Sequence, residues 1–114
     1  MHAGNMKQLA RFIKILGDAS RLSIIRAMGS DSRSVSEIIR RTGLPQTLVS
    51  FHLRTLRDAG IVRARREGPF IYYNLSDPHL LVLLDQLALM AGVKETHFQA
   101  AQRAQPLQAR AEGR

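Results

Sequence analysis

The sequence predicts a mainly α-helical domain carrying one β-hairpin. Three observations predict it. Apolar residues recur at helical spacing in several segments. The period switches to β-rich runs on either side of Glu67-Gly68-Pro69, near the middle of the chain. Two short helical segments, joined only by Gly43-Leu44-Pro45, directly precede that switch. A length of 114 residues suits one domain with one small core.

The first helix is predicted over residues 6–16. Leu9, Phe12, Ile13 and Leu16 fall at i, i+3, i+4 and i+7, with Lys7, Arg11 and Lys14 on the opposite side. Gly17 stops it. Asp18 or Ser20 caps a second helix that runs to Met28 and turns Leu22, Ile25 and Met28 inward. Residues 29–32, Gly-Ser-Asp-Ser, form a turn. Ser34-Val-Ser-Glu37 matches a capping box, in which hydroxyl and carboxylate satisfy two free N–H groups reciprocally. The third helix then runs to Thr42, and Gly43 supplies its left-handed stop.

Pro45 fits the first turn of a fourth helix, which runs to about Ala59 and ends at Gly60. Residues 61–66 and 70–75 are rich in β-branched and aromatic types and read as the two strands of the hairpin. Asp77-Pro78 opens a fifth helix from about His79 to Lys94. Residues 1–97 make up the domain. Residues 98–114 form a C-terminal tail rich in Gln, Ala and Arg, whose composition favours disorder.

Charge narrows the function. The chain carries 17 Lys and Arg against 9 Asp and Glu, a net +8. Between Arg21 and Arg66 stand ten Arg and three acidic residues, so nearly all of the surplus sits in under half the chain. A basic surplus so clustered points to a polyanion, with nucleic acid first and an anionic membrane its rival. Cys is absent, which excludes a disulfide framework, a thiolate-bound metal, a thiol redox sensor and a Cys nucleophile. No apolar run reaches the roughly 18–20 residues of a membrane span. The first dozen residues lack the apolar stretch of a signal peptide, so a soluble cytoplasmic protein is expected.

Two short helices, a tight turn and then a basic hairpin give the layout of a winged helix-turn-helix. On a helical wheel of the fourth helix, Leu48, Val49, Leu53 and Leu56 share one arc. Gln46, Thr47, Ser50, Phe51 and Arg54 share the other, and an amide, hydroxyls and a guanidinium suit base edges. Phe51 has two readings: contact with a thymine methyl, or partial packing against the third helix. His52 lies on the core side, as a hydrogen-bonded, half-buried residue. Arg63, Arg65 and Arg66 lie near the hairpin tip, where they can follow the DNA backbone or enter a minor groove. Arg40 and Arg41, at the end of the third helix, are candidates for phosphate.

Four stretches together resemble the ArsR/SmtB family of bacterial transcriptional repressors. They are Leu16-Gly-Asp-Ala-Ser-Arg-Leu-Ser-Ile-Ile, Ser34-Val-Ser-Glu-Ile, Gln46-Thr-Leu-Val-Ser-Phe-His-Leu-Arg-Thr-Leu-Arg-Asp-Ala-Gly-Ile-Val and Arg65-Arg-Glu-Gly-Pro-Phe-Ile-Tyr-Tyr-Asn-Leu. The resemblance covers about residues 6–92. It implies a homodimeric repressor on double-stranded operator DNA, released by an inducer that is often a metal ion. It also implies a dimer interface on the first and fifth helices, here Leu9, Phe12, Ile13, Leu80, Leu83, Leu84, Leu87 and Met90. The fifth helix supports that independently, having more apolar surface than so small a domain can hide.

The metal ligands of the family are only partly present. Where one family site has Cys in the third-helix stretch, this chain has Ser34 and Ser36, poor ligands for soft metals. Asp77 and His79 match the first half of the other site, on the fifth helix, but Met90 and Val93 stand at the second half. His97 lies seven residues beyond Met90, about 10 Å along a helix, and replaces a ligand only if the helix ends early and folds back. His2 joins only if the N-terminal arm reaches the site. Asp77 also reads as a helix cap, so the inducer is left unidentified. No nucleophile–base pair, acid pair or phosphate-binding glycine loop is present, and an enzyme is not expected. The alternatives to an operator-binding repressor are a metal-responsive one using Asp77, His79 and His97, and a winged-helix module for protein partners.

Overall fold

The computed structural model describes residues 3–94 and 97–99. Among them are helices α1 (Ala3–Leu16), α2 (Ala19–Met28), α3 (Val35–Thr42), α4 (Gln46–Asp58) and α5 (His79–Met90) and a small antiparallel sheet. Its strands β1 (Arg33–Ser34), β2 (Val62–Glu67) and β3 (Phe70–Leu75) lie in the order β1-β3-β2. This is the winged helix-turn-helix arrangement, with β2 and β3 as the wing.

Local chemistry sets the helix ends. Asp18 caps α2, its carboxylate accepting from the Arg21 backbone N–H at 3.0 Å. The capping box of α3 is complete. The Ser34 hydroxyl accepts from the Glu37 N–H at 3.2 Å, and the Glu37 carboxylate accepts from the Ser34 N–H at 2.9 Å. Pro45 stands just outside α4 in an extended conformation, one residue earlier than its fit to the first turn suggests. The end of α4 is a Schellman motif: the Ile61 N–H bonds to the Leu56 carbonyl, and the Gly60 N–H to that of Arg57. Leu56 and Ile61 are both buried, which joins the helix end to the wing.

The wing turn is two residues long, since Glu67 pairs with Phe70. Gly68 has φ 62°, and a following Pro cannot share that sign, so the turn is of type II′. A side chain at Gly68 strains this turn directly.

The core is built mainly by α2, α3, α4 and the inner end of the wing, with Leu16 of α1 and Leu81 and Leu84 of α5 added at its side. Ile24, Ile25, Met28, Ile38, Val49, Leu53, Leu56 and Val62 are fully enclosed. Ile24 joins Ile25 and Met28 inside, whereas Leu22 is only half-buried.

Three local expectations change. Residues 33–34, expected to lead into α3, pair with β3 as a third strand, Arg33 opposite Tyr73 and Ser34 opposite Tyr72. Two residues show no periodicity, so only the partner strand reveals them. Helix α1 begins at Ala3, three residues before the expected start at residue 6. Helix α5 ends at Met90, four residues short of Lys94, because Gly92 adopts φ 71° and reverses the chain. The chain then returns to α5: Asp85 accepts from the backbone N–H groups of Phe98 and Gln99 at 2.6 and 3.0 Å. The Phe98 ring, at the first position assigned to the tail, is 4% exposed and belongs to the core. Residues 100–114 lie outside the described residues.

Candidate nucleic-acid interface

Helices α3 and α4 are separated by three residues, 43–45. Gly43, in the left-handed conformation, closes α3. The Thr42 hydroxyl donates to the Ile38 carbonyl and accepts from the Leu44 N–H, which pins the turn. The orientation of α4 is therefore fixed from below by the turn and by its buried residues Val49, His52, Leu53 and Leu56.

The outward arc of α4 is exposed at every position singled out in the sequence: Gln46, Thr47, Ser50, Phe51 and Arg54. Phe51 is 61% exposed, so most of its ring faces outward from α4. Its neighbour His52 is 6% exposed, and the two rings meet edge-on with centroids 5.3 Å apart.

His52 is tethered. A guanidinium nitrogen of Arg21 on α2 lies 3.3 Å from His52 Nδ1, and Arg21 Nε donates to the Ile15 carbonyl at the end of α1. One side chain thus ties α1, α2 and α4. The tether spans 31 positions, so no local pattern in the sequence signals it. Arg33 is likewise committed within the fold, beside Asp31 at 3.3 Å and Glu37 at 3.7 Å. The exposed arginines of the segment include Arg40, Arg41, Arg54, Arg63, Arg65 and Arg66.

The register of the wing divides its three arginines. Val62 is opposite Leu75, and both are buried. Alternation therefore puts Arg66 on the same face as that buried pair, and Arg63 and Arg65 on the outer face. Arg65 is opposite Tyr72, with its guanidinium carbon 5.6 Å from the ring centroid and a 3.7 Å approach to Glu67. The wing thus presents cations in both directions at its tip.

A second surface lies on α1 and α5. Leu9, Phe12 and Ile13 of α1 and Leu83, Leu87 and Met90 of α5 are exposed, Met90 to 83%. Leu84 differs from the sequence expectation: it is buried in the core of this chain, because α5 turns Leu81 and Leu84 together toward it. Leu80 packs against the same core and is half-buried.

The Asp77 carboxylate accepts from the His79 backbone N–H at 3.0 Å, a turn at the entry to α5, whose N-cap position is Pro78 rather than Asp77. The chain does fold back after α5, but to Asp85. That residue lies six positions, about 9 Å along the helix, beyond His79. Among the described residues, no three His, Asp or Glu side chains gather closely enough to hold a metal ion. His2 lies outside the described residues. Nor is any described helix long and apolar enough to cross a membrane.

The family model described as "Bacterial regulatory protein, arsR family" matches residues 18–64, from the α2 cap into the wing. An uncharacterized HTH-type transcriptional regulator from Methanocaldococcus jannaschii is 35% identical over 85 residues, which span 71% of this chain and 96% of that relative. The chain belongs to the ArsR family. Another relative, a probable mercury resistance operon repressor from Streptomyces lividans, is 36% identical over 75 residues. That match covers 66% of this chain and only 60% of the repressor's length. Among solved structures, the fold matches the homodimeric winged helix-turn-helix DNA-binding domain of a possible ArsR-family transcriptional regulator from Mycobacterium bovis. The TM-score is 0.65 at 30% identity, covering 83% of this chain and 93% of that one. The ArsR family is one of regulatory proteins, and the matched segment contains the turn and the whole of α4.

Proposed function

We propose that this chain is a sequence-specific DNA-binding repressor that works as a homodimer in the cytoplasm and leaves its operator when an inducer binds. The observation that carries the reading is the exposed arc of α4, flanked by exposed arginines. Helix α4 enters the major groove with Gln46, Thr47, Ser50 and Arg54 toward base edges. Arg40 and Arg41 meet phosphates beside it, and Arg63, Arg65 and Arg66 follow the backbone or the neighbouring minor groove. The apolar residues of α1 and α5 support pairing of two copies, because so many exposed side chains of this size on two helices favour a cover.

The test is selection of duplexes from a random-sequence library by the purified chain. A two-fold symmetric site is expected, with half-sites about one helical turn, roughly 34 Å, apart. Affinity should fall steeply with salt as counterions are released. Equal affinity for all sequences would make the chain a general DNA coat instead. Sedimentation of Ile13→Glu and Leu87→Glu variants tests the pairing face, and both are expected to be monomeric.

A further inference from the structure

Thr47, Phe51 and Arg54 form one stripe along α4, each about a turn from the next. The middle member has no hydrogen-bonding group. Single exposed apolar residues are ordinary on protein surfaces. This one differs in being centred among polar side chains and supported from behind. Its ring meets that of buried His52, which Arg21 holds, in an edge-on contact. The Thr55 hydroxyl also donates to the Phe51 carbonyl at 3.3 Å.

The chemistry of the major groove leaves few partners for such a ring. Base edges there present donors and acceptors, and covering one without a hydrogen bond costs free energy. Thymine alone adds an apolar group, its C5 methyl. Resting on the DNA-binding reading above, we propose that Phe51 is a specificity-determining residue that selects thymine through this methyl group. Thr47 and Arg54 reach the base pairs on either side, so the thymine falls inside each half-site.

The experiment uses the full chain and a duplex that it selects from a random library. Thymines in the two half-sites are replaced by deoxyuridine, one symmetric pair at a time, which removes the methyl and leaves every hydrogen-bonding group. At one pair, affinity should fall about three- to fivefold per methyl, the scale of one buried methyl group. Phe51→Ala should bind the original duplex more weakly by a similar factor and be indifferent to that deoxyuridine pair. Phe51→Leu, which keeps an apolar side chain, should retain the preference. Circular dichroism melting of both variants checks that they are folded. The proposal is overturned if no deoxyuridine pair weakens binding, or if Phe51→Ala remains as sensitive to it as the parent. Failure to select any duplex removes the DNA-binding reading itself, and the thymine assignment with it.

Discussion

Arg21 and His52 are partners across two helices, with a guanidinium nitrogen 3.3 Å from Nδ1 of the ring. A guanidinium only donates, so Nδ1 accepts and the ring proton of neutral His52 resides on Nε2. Replacing Arg21 by Ala leaves both the Ile15 carbonyl and the ring nitrogen without this donor. The expected loss is about 1–3 kcal/mol in urea unfolding. His52→Asn, whose amide oxygen can take the place of Nδ1, should lose less than His52→Leu. A loss within experimental error for Arg21→Ala would mean that water replaces the tether.

Two caps make stability fall in acid. The Ser34 backbone N–H holds the Glu37 carboxyl below its ordinary 4.5, and the Arg21 backbone N–H holds Asp18 below its ordinary 3.8. Both groups bind protons more tightly when unfolded, so their contribution is complete above the ordinary values and is lost as pH falls through the folded ones. Glu37→Gln should flatten the pH dependence of unfolding below about pH 4.5. Ser34→Ala should cost about 1 kcal/mol at neutral pH, seen as a lower melting temperature.

Phe98 should behave as a core residue despite its place beyond α5. With 4% exposure, truncation to Ala is expected to cost about 3–5 kcal/mol. Asp85→Ala should add a smaller loss, about 1 kcal/mol, by leaving the Phe98 and Gln99 N–H groups without their acceptor. Urea unfolding of the two variants checks both, and a neutral Phe98→Ala would show that the segment is not docked in solution.

Glu67 lies 3.7 Å from Arg65 at the wing tip, and both side chains are more than half exposed. Such pairs contribute little to folding, about 0–1 kcal/mol. Glu67→Gln should therefore melt like the parent but bind DNA a few-fold more tightly at low salt. Arg63→Ala should act oppositely, weakening all duplexes alike and lowering the salt slope by about 1. A base-specific effect of Arg63→Ala would move that residue from the backbone into a groove.

Much of this fold was readable because its decisive signals are local. The capping box, Gly43, and the strand change around Gly68 each act within a few residues, and each stands where expected. The outward arc of α4 was readable for the same reason, since a wheel needs only the helix itself. What escaped depends on distance in the chain. Strand β1 exists only through β3, the Arg21 tether joins positions 31 apart, and Phe98 finds Asp85 only after Gly92 turns the chain back. One acid in the apolar run of α5 and one aromatic in a polar tail were the faint signals of that last contact.

The division of the wing arginines has a consequence for how this hairpin can change. Its faces are counted in steps of two, so exchanging an exposed residue leaves all the others where they were. Adding or removing a single residue in β2 does not. With the turn held, it moves the buried Val62 position to the outer face and reverses every residue between Val62 and the change. The wing is a ruler: its lettering can be rewritten freely, but its length alters only by whole graduations.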